Sequence, residues 1–178
     1  METGLFIIDA IIIAIVILPF ALFINGRAKR KKQLRKAIET EAAQHNCKLT
    51  KLEMYNNFAL GVDTDAQKLF FYKATTDVVF AKVVDLKSVA VCKIIKETKR
   101  VKNKSKHYDV INKLQLSLIN HNRDDVTYLE FYNNDDEVTL SDELSVAQKW
   151  QDYLNELLAS KSGVLSSQKE DHMAVAMN

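Results

Sequence analysis

The chain has 178 residues, two cysteines, four glycines and a formal net charge of +2. Two cysteines without a CxxC or Cys/His spacing exclude a disulfide framework and a zinc site legible in sequence, and four scattered glycines exclude Walker and dinucleotide loops. Charge is unevenly spread: residues 27–36 carry +7 and 93–106 carry +6, leaving −11 for the rest, so no nucleic-acid partner is expected, because such binders spread positive charge over a folded face.

The first element is the apolar run "LFIIDAIIIAIVILPFALFI", Leu5 to Ile24, broken only by Asp9 and Pro19. Twenty helical residues at ~1.5 Å each reach ~30 Å, the depth of a bilayer core. No Lys or Arg precedes the run, whereas Arg27, Lys29, Arg30, Lys31, Lys32, Arg35 and Lys36 follow it at once. The positive flank stays inside, so the expectation is an uncleaved single-pass anchor over 1–26, with the N-terminus outside and the rest cytoplasmic at the plasma (inner) membrane. Those seven bases are candidate topology and anionic-lipid contacts.

The next stretch, "RAKRKKQLRKAIETEAAQHN", has no internal Pro or Gly and many helix formers. Leu34, Ile38 and Ala42 form one thin apolar stripe at four-residue spacing. The expectation over 27–46 is a basic juxtamembrane helix, either a stalk or a helix lying on the inner leaflet.

From Cys47 the spacing changes to short apolar runs punctuated by turns. "CKLTKLEMY", "FALGVD", "KLFFYKA", "VVFAKVVDL", "VAVCKIIKETKRV", "INKLQLSLIN" and "VTYLEFYN" read as seven strands. Leu114, Leu116 and Leu118 alternate with polar neighbours, which marks a sheet with one wet face. No crossover helix separates the runs, so the pairing is expected to be antiparallel. "SDELSVAQKWQDYLNELLASK" then predicts a helix capped by Thr139 or Ser141, with Leu144, Ala147, Trp150, Leu154, Leu157 and Leu158 on its buried face. Beyond Lys161 periodicity is lost and a flexible tail is expected over 161–178.

Seven strands followed by one helix carrying the single tryptophan, together with "GVDTDAQKLFFYK", "VVDLKSVAVCKII", "LEFYN" and "AQKWQDYL", resemble small bacterial single-pass membrane proteins with a pleckstrin-homology-like (PH-like) cytoplasmic domain. The resemblance covers nearly the whole chain. It implies a membrane-spanning N-terminal helix plus an α+β, mostly antiparallel β, PH-like barrel or roll over 47–160, capped by a C-terminal amphipathic helix. Trp150 would then be a structural residue under the barrel mouth. The arginine cluster with which phosphoinositide-binding relatives hold their ligand is missing from the first hairpin, "KLEMYNNFALG".

No cofactor, metal or catalytic constellation is expected. The four histidines lack Ser, Cys or carboxylate partners at a recognisable spacing, so the chain does not read as an enzyme. The candidate site is the basic connection "KIIKETKRVKNKSKHYD", read as a long mobile loop in which Lys99, Arg100, Lys102, Lys104 and Lys106 meet a protein partner or lipid headgroups. The expected function is a non-enzymatic, membrane-anchored interaction or scaffold module, with membrane lipids and one protein as partners. The alternative is a peripheral sensor of anionic lipid that uses both basic blocks.

Overall fold

The computed structural model describes residues 26, 28–75, 79–103, 106–122, 124–136 and 139–175. In chain order they form α1 (28–44), β1 (Lys51–Met54), β2 (Phe58–Asp63), β3 (Lys68–Ala74), β4 (Val79–Asp85), β5 (Val89–Asn103), β6 (Lys106–Asn120), β7 (Val126–Asn133) and α2 (Glu143–Val175). The strands make two sheets in the orders β1-β2-β3-β4 and β5-β6-β7.

One part of the expected architecture is corrected. The run Leu5 to Ile24, on which the spanning helix was expected, lies outside the described residues, and among those described no helix is long and apolar enough to cross a membrane. Each helix has a physical reason. α1 offers one apolar residue per turn, and α2, long enough at 33 residues, is interrupted throughout by Lys, Gln, Asp and Glu. The fold class with a transmembrane helix and the single-pass inner-membrane location are therefore not supported. The described residues form two helices and two antiparallel sheets.

The chain divides into two compact units. The first reaches Ala66 and takes in Phe70–Ala81. Its core holds Phe58, Ala59, Leu60, Val62, Phe70 and Phe71 together with Leu34, Ile38 and Ala42 of α1. The stripe at four-residue spacing is thus buried in protein: Ile38 is 0 % exposed and reaches the backbone of Gly61 in β2, where an added Cβ would stand 3.5 Å from its Cδ1 and only 2.9 Å from Leu49. This corrects the expected stalk or leaflet-bound helix, since a sheet covers the apolar side of α1. Six bases, Lys29, Arg30, Lys31, Lys32, Arg35 and Lys36, remain exposed on its other sides, and Arg27 lies outside the described residues.

α1 stops by a local device. Asn46 takes a left-handed φ of 54°, its N–H donates to Ala43 O at 3.0 Å, and the Cys47 N–H donates to Ala42 O at 2.9 Å. These are the two closing bonds of a Schellman end, with asparagine at the position glycine usually takes. The chain then returns under Asp63. The carboxylate of this buried residue accepts N–H groups from Lys48 at 2.7 Å, Asp65 at 3.0 Å and Ala66 at 2.8 Å, tying the α1–β1 connection to the β2–β3 turn. The Ala66 bond is the leading cause that holds the Asp63 carboxyl below its ordinary range, and burial opposes it.

The second unit comprises Gln67–Leu69 and the chain from Lys82. β6 lies between β5 and β7, and the buried residues Cys92, Leu114, Leu116, Leu118, Leu129 and Phe131 come from alternate positions of the three strands. α2 packs across them through Val146, Ala147, Trp150 and Leu154. Trp150 is fully buried, with the Tyr153 ring edge-on at 5.6 Å. Leu144, Leu157 and Leu158 are only half-buried. The helix begins at Glu143, later than the expected caps, and the Glu143 carboxylate accepts the Ser141 N–H at 2.6 Å. It then continues past Lys161 to Val175, where the sequence reading places a tail.

Candidate interaction ribbon

β5 is an edge strand, and edge strands expose a row of unpaired backbone groups. α2 covers part of that row. The Asn155 side-chain amide accepts the Cys92 N–H at 2.9 Å and donates to Cys92 O at 3.0 Å, and Gln151 Oε1 accepts the Ile94 N–H at 2.8 Å. Two amides one turn apart on α2 therefore match two residues of like phase on the strand. Burial in this seam pushes the Cys92 thiol up to about 12. These caps were not foreseen from sequence, because an exposed-looking Asn or Gln on a helix gives no hint of a strand beside it.

Past Ile94 the edge opens. β7 pairs with β6 only from Lys113 to Ile119, whereas β5 and β6 continue together through Thr98↔Ile111, Lys99↔Val110, Arg100↔Asp109, Val101↔Tyr108 and Lys102↔His107 to Asn103↔Lys106. A bulge between Glu97 and Thr98 places an extra β6 residue, Asn112, at the point where the third strand ends. The distal half is a two-stranded ribbon. This corrects the expected mobile connection: the described part of the basic stretch is an antiparallel ladder down to Asn103↔Lys106, and Lys104 and Ser105 lie outside the described residues.

The period of two then divides the candidate bases. β5 carries no insertion between Cys92 and Lys102, so Lys99 and Val101 share one face with Val110 and Tyr108 of β6, while Arg100 and Lys102 share the other with Asp109 and His107. The first face is apolar and open: Val101 is 42 %, Tyr108 50 % and Val110 39 % exposed. The second is charged, and Arg100 Nε meets Asp109 Oδ1 at 3.2 Å, with their side chains 72 % and 60 % exposed. So exposed a pair contributes ~1 kcal/mol or less and exchanges readily for another partner. The five bases are thus not one patch. Lys99 stands on the apolar face, Arg100 and Lys102 on the opposite one, Lys106 opens β6 opposite Asn103, and Lys104 is not described.

The ribbon stands out electrostatically from its own unit. Residues 96–109 carry six Lys/Arg against Glu97 and Asp109, while residues 110–178 carry five against twelve Asp/Glu. Among the described residues no group of three or more His, Cys, Asp or Glu is placed to hold a metal ion. No family model, no curated protein and no solved structure matches the chain.

Proposed function

We propose that this chain is a non-enzymatic protein-interaction module whose docking element is the distal β5–β6 ribbon. The observation that carries this reading is the combination, on one projecting pair of strands, of three exposed apolar side chains, an open backbone edge and a positive charge that the rest of the unit lacks. Val and Tyr on a two-stranded ribbon stabilise no core there, and exposed apolar side chains grouped on one surface are a common mark of a binding site. Seven strands followed by one terminal helix is also the element order of the PH-like proteins that the sequence resembles, although element order alone assigns no activity.

The test is site-specific photo-crosslinking in the native cell. A crosslinker at Val101 is expected to trap one discrete partner, and the same group at Glu39, on the exposed side of α1, is expected to trap none. Equal or absent adducts at both sites would remove the ribbon from the docking role.

A second reading rests on the six exposed bases of α1, Lys29 to Lys36: peripheral attraction to an anionic lipid surface, at ~1 kcal/mol per base near the surface. Flotation with phosphatidylserine vesicles distinguishes it. Reversal of Lys31, Lys32 and Lys36 to Glu is expected to abolish that flotation if the reading holds, and flotation indifferent to those changes would eliminate it.

A further inference from the structure

We infer that the open edge of β5 from Lys96 to Lys102 accepts an extended partner segment as a third strand, and that the segment alternates carboxylate and apolar residues. This deepens the docking reading above and rests on it. Three observations define the occupant.

The first is the backbone. Cys92 and Ile94 turn their N–H groups to α2, and with no insertion in β5 the same outward phase recurs at Lys96, Thr98, Arg100 and Lys102. Helix amides satisfy the first two positions, and among the described residues the caps end at Ile94. Strand addition to such an edge supplies the main-chain bonds, and alternate side chains supply the selectivity.

The second is the side-chain pattern. A strand laid beside β5 places every second residue next to Arg100 and Lys102, and the residues between them next to Lys99 and Val101. Carboxylates suit the first set. Apolar side chains suit the second, where Val101, Tyr108 and Val110 form an exposed surface.

The third disfavours the simplest competitor. A second copy pairing through the same edge would crowd Lys96, Lys99, Arg100 and Lys102 of both copies into one short ladder with only Glu97 of each to offset them, and like charges gathered across a ladder are destabilising. The acidic excess of residues 110–178 disfavours a long nucleic-acid polyanion, whereas a short acidic peptide beside Arg100 and Lys102 spans only the basic stretch.

The probe is a fluorescein-labelled nonapeptide alternating glutamate and valine, titrated with the full chain by fluorescence anisotropy. Saturable binding is expected, with none to the lysine–valine counterpart. Thr98→Pro removes one outward N–H without changing charge, at an edge position where proline is tolerated, and is expected to weaken binding about tenfold, the loss of roughly one hydrogen bond. Arg100→Glu with Lys102→Glu is expected to abolish binding, and the charge-matched control Lys82→Glu with Lys87→Glu, two exposed positions away from the ribbon, to leave it unchanged. Lys102→Pro, read against Lys102→Ala so that the lost N–H is separated from the lost charge, serves as a second edge block should Thr98→Pro melt early.

The inference is overturned by no binding to the glutamate peptide, by equal binding to the lysine peptide, by binding indifferent to both prolines, or by a concentration-dependent dimer in sedimentation that Thr98→Pro dissolves. Flotation with phosphatidylserine vesicles that is lost on reversing Arg100 and Lys102 would overturn it also, by assigning the ribbon to lipid. If Val101 still crosslinks a protein while the glutamate peptide fails to bind, strand addition falls and the docking reading stands. If Val101 crosslinks nothing, both fall.

Discussion

Asp63 joins three backbone N–H groups from two connections, and its removal tests how far the first unit depends on that knot. Asp63→Asn keeps one acceptor oxygen and puts an amide donor where Lys48 N–H now donates, so a loss of ~1–3 kcal/mol is expected in urea unfolding. The pH dependence has a definite sign. The folded carboxyl titrates below the ordinary 3.8, so its contribution is full above that value and disappears as pH falls through the lower folded value. The wild-type chain should therefore lose stability between neutral pH and pH 3 more steeply than Asp63→Asn, and parallel curves would show that the carboxylate contributes nothing. Cysteine chemistry gives a second test at this scale. Cys92 is buried with its thiol pushed up to about 12, while Cys47 is half-buried, so native protein at pH 8 should present one rapidly reacting thiol to a disulfide reagent and two after denaturation. Two fast equivalents would mean that the α2 seam opens readily.

At the scale of elements, α1 and the α2–β5 seam are where packing decides structure. Ile38→Ala leaves a hole against Gly61 and Leu49 and is expected to cost ~2–5 kcal/mol in chemical unfolding, whereas an indifferent result would return α1 to the status of an appendage. Asn155→Leu strips Cys92 of both edge bonds, and an expected loss of ~1–3 kcal/mol should come with faster amide exchange at Cys92. These elements also show what a single sequence can and cannot state. The stripe Leu34–Ile38–Ala42 is plain in the chain, but spacing says only that one side of a helix is covered, and lipid or a sheet would select the same residues. The strands were legible from their β-branched runs and turns. Of the distal ribbon, the β5 side was legible as far as Val101, but residues 106–110 of β6 were not, because "KNKSKHYD" is poor in strand formers and the β6 part owes its extension to the strand it pairs with. Once that register is known, strict alternation separates Lys99 from Arg100 and Lys102, which a reading by composition had placed together.

For the molecule as a whole, the ribbon is the one described feature that contributes little to its own unit's core while carrying concentrated charge. Thr98 to Val101 and Asp109 to Val110 are exposed, and the buried residues of that unit end at Leu114 on β6 and Cys92 on β5. Replacing Thr98–Ile111 with a two-residue turn should therefore leave the melting temperature within about 4 °C of wild type, the shift that roughly 1 kcal/mol produces in a chain of this size. The same deletion should erase capture at the ribbon and the salt dependence that goes with it. A positive tip on a negative unit steers acidic partners through the association rate, and screening over ~8 Å at physiological salt weakens that steering. Binding of an acidic partner should accordingly slow as salt rises in the wild type, with the dissociation rate changing far less. A deletion that unfolds the second unit would show that the ribbon belongs to the scaffold after all, since an element kept for docking must be removable without loss of the fold that presents it.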